Sequence, residues 1–161
     1  MNLTKKNLQW CWLSFVVILL DQLSKYLTLH FLTPYQPTPV FPFFNLTLVH
    51  NTGAAFSFLS HQPVLAFWLF SGIALVMSVI LVVWLSRLPA SSRWLSCALS
   101  LVLGGALGNV IDRFVHGHVI DFLDFYYEAS HYPAFNIADS AIFIGAVILL
   151  LDAIFKKKYK N

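Results

Sequence analysis

The chain has 161 residues, of which 58% are hydrophobic and 11% charged, with a formal net charge of +3. A soluble domain carries about 45–50% apolar and about 25% charged residues, so a single water-soluble core is excluded and the bilayer has to be part of the solvent. The positive residues stand at the ends of apolar segments, which makes them topology signals rather than a nucleic-acid footprint.

In chain order, the first predicted span runs from about Leu8 to Leu32 and is interrupted by Asp21 and Lys25. It opens like a signal peptide, with Lys5 and Lys6 before an apolar run. Asp21-Gln22 then stands where a small-residue cleavage site would be, so a retained anchor is expected. The loop from Thr33 to Pro63 has no Lys or Arg. Its prolines at 34, 37, 39 and 42 favour extended chain, Phe43–His50 reads as a strand, Asn51-Thr52-Gly53 as a turn and Ala54–Phe58 as a return strand. Asn45-Leu46-Thr47 matches a glycosylation sequon, a weak three-residue signal. The second span, about Val64–Leu85, carries no charge. Arg87 and Arg93 lie in a short loop before the third span, about Trp94–Arg113, and the fourth runs from about Ala138 to Phe155 before Lys156, Lys157, Lys158 and Lys160. Each span is long enough to cross the hydrocarbon core as a helix. The Lys and Arg asymmetry puts both termini and the second loop in the cytoplasm, with Trp10, Trp12, Trp84 and Trp94 near the inner boundary. Cys11 and Cys97 fall in or beside spans and read as buried thiols. The expected fold is an all-α membrane protein: one integral domain over residues 1–161, with four transmembrane helices, a small extracytoplasmic β-sheet and a short amphipathic segment on the outer surface.

Asp21, Lys25, Asn109, Asp112, Arg113, Asp121, Asn136 and Asp139 all map to the outer third of the membrane or just beyond it. Charge at membrane depth is costly and needs a partner or a wet cavity. Each residue also has a plainer reading. Asp21 and Lys25, four apart on one helix face, suit a salt bridge. Asp139 at a helix start suits a cap. Asp121 reads as a solvated loop acid, as Asp124 and Glu128 do. Arg113 suits a snorkelling terminal cation, although the outer end is the wrong place for a topology-setting Arg and a held carboxylate or substrate carbonyl explains it better. Gly104, Gly105 and Gly108 read as a close helix-packing face.

Five segments now carry a likeness: Asp21-Gln22-Leu23-Ser24-Lys25, Asn51-Thr52-Gly53-Ala54-Ala55-Phe56-Ser57, Gly108-Asn109-Val110-Ile111-Asp112-Arg113, Val119-Ile120-Asp121-Phe122 and Phe135-Asn136-Ile137-Ala138-Asp139. In this order, and with this topology, the chain resembles the bacterial lipoprotein signal peptidases, the signal peptidase II family. The resemblance implies an aspartic endopeptidase of the bacterial cytoplasmic membrane, acting toward the outer face. It would cut diacylglyceryl-modified prolipoproteins just before the lipidated cysteine. By motif match Asp121 and Asp139 are the catalytic pair. Asn109, Arg113 and Asn136 line the site, supported by Asn51, Gly53, Asp21 and Lys25. Lipidated prolipoproteins and membrane lipids are the expected partners of a monomer, with no nucleic acid, metal or other cofactor.

Three rival chemistries remain at this stage. A small transporter would place its carboxylates near the midplane, whereas these cluster at one end. A metal hydrolase could draw on His116, His118 and Asp121. A serine mechanism would need Ser57 or Ser140 beside His116 or His131.

Overall fold

A computed structural model describes residues 5–53 and 62–158 of the chain. A short α1 (Lys5–Leu8) precedes α2 (Cys11–Phe31). Strands β1 (Thr38–Phe41) and β2 (Phe44–Asn51) follow, then α3 (Pro63–Arg87), α4 (Arg93–His116), β3 (Val119–Tyr127), β4 (Ser130–His131) and α5 (Ile137–Lys158). Four of the helices, α2 to α5, are long and apolar enough to cross a membrane. The predicted return strand at Ala54–Phe58 lies outside the described residues.

Most of α2, α3 and α5 faces outward, with large apolar side chains such as Phe15, Val76, Phe143 and Leu150 exposed. That is the surface of a helix whose solvent is lipid. By contrast α4 is largely buried and packs against α2, α3 and α5. Its two ends differ in chemistry. Toward the chain termini, Leu95, Leu99 and Leu103 join Leu81, Leu85 and Leu88 in an apolar core. Toward the sheet, α4 carries Asn109 and Asp112, both buried. Between these ends its glycines form the expected packing face. A Cβ at Gly104 would meet the Ser14 carbonyl of α2 at 2.8 Å, one at Gly105 would clash with the Ala138 carbonyl of α5, and one at Gly108 would meet the Asp21 carboxylate at 2.7 Å. Gly117 ends α4 at φ 79°, its N–H bonded to the Arg113 carbonyl. This is the left-handed cap that glycine adopts without strain.

The sheet is antiparallel throughout its named strands, in the order β1-β2-β3-β4. Pro39 is confined to the edge strand β1, where its missing N–H is tolerated. The stretch after α4, where a short amphipathic segment was expected, folds as β3 and β4. Asp121 is therefore a strand residue, opposite Val49 of β2, and not a loop acid. Val119-Ile120-Asp121-Phe122 is buried at every position, with α2 and α4 packed against β3. Backbone bonds tie Phe135 to Phe122 and Leu123, which brings the start of α5 alongside β3.

Asp124 is a second correction. Only 4% exposed, it accepts from Thr47 Oγ1 at 2.7 Å and Asn45 Nδ2 at 3.5 Å, and pairs with His131 at 2.8 Å. Burial would raise its pKa, but the bonds from His131, Thr47 and Asn45 outweigh that and hold it below the ordinary value. The sequon asparagine is thus buried in the sheet. Glu128, in the exposed β3–β4 turn at φ 53°, fits the solvated reading.

Candidate active site

Five elements meet where α2, α4 and α5 reach β2 and β3. Asp121 comes from β3 and is 2% exposed; Asp139 comes from the first turn of α5 and is half-buried. Two amides join them. Asn136 Nδ2 donates to Asp121 Oδ1 at 2.7 Å and lies 3.1 Å from Asn109 Oδ1, while Asn109 Nδ2 donates to Asp139 Oδ1 at 2.8 Å.

The orientation of each amide follows from donors that cannot be reversed. The backbone N–H of Asp139 binds Asn136 Oδ1 at 2.8 Å, so Asn136 caps α5 through its oxygen and turns its nitrogen to Asp121. The Lys25 ammonium binds Asn109 Oδ1 at 3.1 Å, so the nitrogen of Asn109 faces Asp139. The backbone N–H of Gly53 binds Asn51 Oδ1 at 3.1 Å in the predicted turn, and Asn51 Nδ2 then donates to Asp121 Oδ2 at 2.9 Å. All three asparagines present N–H groups to the aspartate pair. The cap is Asn136 rather than Asp139, whose side chain is left facing the site.

Burial raises the Asp121 pKa to about 7; the Asp139 charge adds to the rise, against the hydrogen bonds from Asn51 and Asn136. A carboxyl that titrates near neutrality can hold or release a proton at working pH.

Beneath the pair lies an ion cluster. Lys25 Nζ is 2.7 Å from Asp21 Oδ2 and 2.7 Å from Asp112 Oδ2, all three residues at most 2% exposed. The expected Asp21–Lys25 bridge therefore has a third member. Asp112 also accepts from Gln22 Nε2 at 2.8 Å. Sequence reasoning left Asp112 and Gln22 out of the site, although the spacing of Asn109, Asp112 and Arg113 already put Asp112 on the same helix face.

Arg113 does not pair with a carboxylate among the described residues. Its Nη1 donates to the Asn109 carbonyl at 3.3 Å and its guanidinium stands 5.5 Å from the Phe70 ring centroid. That leaves most of its fork unused.

The histidines gather elsewhere. His118 packs against His50 at 4.3 Å and His116 at 6.1 Å between ring centroids, and burial, with the neighbouring His50 and His116, lowers its pKa. Asp121 is engaged by asparagines instead, so His116, His118 and Asp121 do not converge as ligands, and among the described residues no three His, Cys, Asp or Glu do. His131 is taken up by Asp124, and Ser140 Oγ by the Asn136 carbonyl; Ser57 lies outside the described residues.

Comparisons with known proteins point to one family. Residues 13–155 match the family described as Signal peptidase (SPase) II. The lipoprotein signal peptidase of Alteromonas mediterranea is 54% identical over 91% of this chain and 80% of its own length. That of Shewanella amazonensis is 51% identical over 95% and 91%. A bacterial membrane enzyme solved by the in meso method at 2.3 Å resolution superposes with a TM-score of 0.85 at 30% identity, covering 95% of this chain and 92% of that one. A second such structure, at 1.9 Å, gives 0.78 at 31% identity over 90% and 92%. With a match over most of its length and relatives near half identical, the chain belongs to the signal peptidase II family.

Proposed function

We propose that this chain removes signal peptides from prolipoproteins as an aspartic endopeptidase, with Asp121 and Asp139 as its catalytic pair. The observation that carries the reading is the amide-linked pair at the sheet end of four spans, with three asparagines turned toward it. The transporter reading is not supported: the matched relatives are peptidases, and the buried charge lies at one end of the bundle.

Two carboxyls held close share a proton, because both cannot ionise easily. Asp121, protonated near neutral pH, polarises the scissile carbonyl. Asp139, the more accessible, takes a proton from the attacking water. Asn109 and Asn136 hold the two carboxyls, and their N–H groups lie close to where negative charge develops. A signal-peptide helix hides its amides in its own hydrogen bonds, so the cut segment has to be extended, and the sheet offers an extended template. The apolar outer faces of the helices meet membrane lipids and the acyl chains of the substrate, and the enzyme acts as a monomer with no metal.

The purified protein, incubated with a lipid-modified lipobox peptide and an unmodified control, is expected to cut the modified peptide before its lipidated cysteine. Equal cutting of both, or of neither, overturns the substrate assignment.

The chain is a bacterial inner-membrane protein, and we place its sheet on the outer side with both termini in the cytoplasm. Single cysteines at Ser91 and Gln36, both exposed, should label from opposite sides of intact cells. Labelling from one side rejects the topology and the outward-facing site together.

The unused fork of Arg113 suits two acceptors of the substrate backbone. Arg113→Lys keeps the charge but not the planar pair of donors. It is expected to lower kcat/KM by about tenfold or more, a loss of on the order of 1.4 kcal/mol in transition-state binding. Cleavage equal to wild type makes Arg113 a depth anchor only.

A further inference from the structure

We propose that Lys25, bridging Asp21 and Asp112, is the positioning residue that sets the spacing of the Asp121–Asp139 pair. The inference rests on the reading of those two aspartates as the reacting carboxyls. Asp21 Oδ1 accepts the backbone N–H of Ala138 at 2.9 Å, and Ala138 immediately precedes Asp139. Asp112 Oδ2 accepts the backbone N–H of Ile120 at 3.0 Å, and Ile120 immediately precedes Asp121. Each buried carboxylate thus grips the chain one residue before one member of the pair. The Lys25 ammonium joins the two grips at 2.7 Å each. It also fixes the amide of Asn109, which touches Asp139. Gly108 makes the arrangement possible, since a side chain there would displace the Asp21 carboxylate.

A structural salt bridge needs one carboxylate per ammonium. Here two are held, from different helices, and each reaches a different segment of the site. A compact ammonium with three donors is suited to that junction. Moving it lets α5 and β3 drift, and the pair separates without losing either carboxyl.

Spacing can be read directly. Two carboxyls that share a proton titrate with two apparent pKa values, and the gap between them measures their coupling. If the pair moves apart, the gap narrows, and the bell-shaped pH profile of turnover narrows from both sides. The test uses the full-length protein with Lys25→Met combined with Asp21→Asn. This removes one charge of each sign, and the new amide keeps an oxygen for the Ala138 N–H. With folding checked by thermal melt, kcat should fall about tenfold or more, KM should stay within about twofold, and the bell should narrow. Lys25→Arg keeps the charge but replaces the compact ammonium with a larger planar fork, so a narrowed bell there separates the effect of spacing from that of charge.

A folded double variant with wild-type kcat and bell width overturns the proposal and leaves the cluster a structural support. If the double variant fails to fold, Asp112→Asn alone must narrow the bell, and an unchanged bell there overturns it equally. Infrared titration of the protonated carboxyl band, assigned by its changes in Asp121→Asn and Asp139→Asn, reads the same two apparent values without turnover. The spacing inference is therefore decided even if peptide cleavage fails.

Discussion

Asp121→Asn and Asp139→Asn are each expected to lower turnover by at least about a thousandfold while leaving the protein folded. Asparagine keeps the size and one oxygen of each side chain, so the bond from Asn109 can persist at 139 and one of the two bonds from Asn51 and Asn136 at 121, but it cannot exchange a proton at working pH. Since one carboxyl has to accept a proton while the other holds one, neither covers for its partner. The double variant should be scarcely worse than either single one.

The pH dependence of stability also carries a signature of Asp121. Its folded pKa of about 7 stands above the unfolded value of about 3.9. Between those values the folded state binds more protons than the unfolded one, so stability falls as pH rises from about 4 to 7 and is then level. At neutral pH the wild-type carboxyl therefore costs stability, on the order of a few kcal/mol as an upper bound. Asp121→Asn removes that cost but leaves one asparagine N–H facing an amide N–H, so its melting temperature should vary less with pH between about 4 and 7 than that of wild type. Activity of the wild type should decline as pH rises through about 7, where Asp121 gives up its proton. Glu128→Gln, at an exposed turn, is the control and should change neither quantity. Asp124→Asn is different: it weakens the bonds to Thr47 and His131 that fasten β3 to β2 and β4 and should lower the melt with turnover retained. Substantial turnover by Asp121→Asn or Asp139→Asn, in folded protein, would falsify the dyad.

The spans were legible because the bilayer imposes a length and a composition that few other constraints can mimic. Their ends shifted by only a few residues, as at α4, which runs on from Arg113 to His116. The site was legible for the same reason. Carboxylates, amides and a lysine at membrane depth have no cheap explanation, so Asp21, Lys25, Asn109 and Asp139 stood out against an apolar background. Beyond the span ends that contrast disappears. Val119–Tyr127 alternates weakly, because β3 is covered on both faces near Asp121 and open near Tyr127, and a strand buried on both faces lacks the period-two signal. Its aromatic and β-branched content was the available clue. Asp124 was misread with it, since an acid between aromatics looks solvated until the partners from β2 and β4 are in place. Asp112 was seen but unassigned, because its partners Lys25 and Ile120 come from two other segments and no local spacing announces them.

Gly105→Val should largely abolish both folding and activity. A Cβ at this position would clash with the Ala138 carbonyl oxygen and stand 2.7 Å from Ile142 Cγ1. The first neighbour is backbone, held from the other side by the Asp21 carboxylate on the Ala138 N–H, so it cannot swing aside as a side-chain tip would. Relief requires α5 to move away from α4, and the moving segment carries Asn136 and Asp139. Overpacking of this kind typically costs about 1–3 kcal/mol or more, and here the displacement also falls on Asp139, the proposed reacting group. Gly105→Ala is the graded version. It should insert into the membrane, melt lower than wild type and lose at least about tenfold in turnover, because a misplacement of about 1 Å at a catalytic group is already costly. Gly72, exposed on α3 with nothing within 4 Å of an added Cβ, supplies the matched control. Gly72→Ala puts the same methyl into the same kind of helix, facing lipid, and should leave melt and turnover at wild-type levels. If Gly105→Ala behaves like Gly72→Ala in both measurements, the α4–α5 contact is not what holds Asp139 in place.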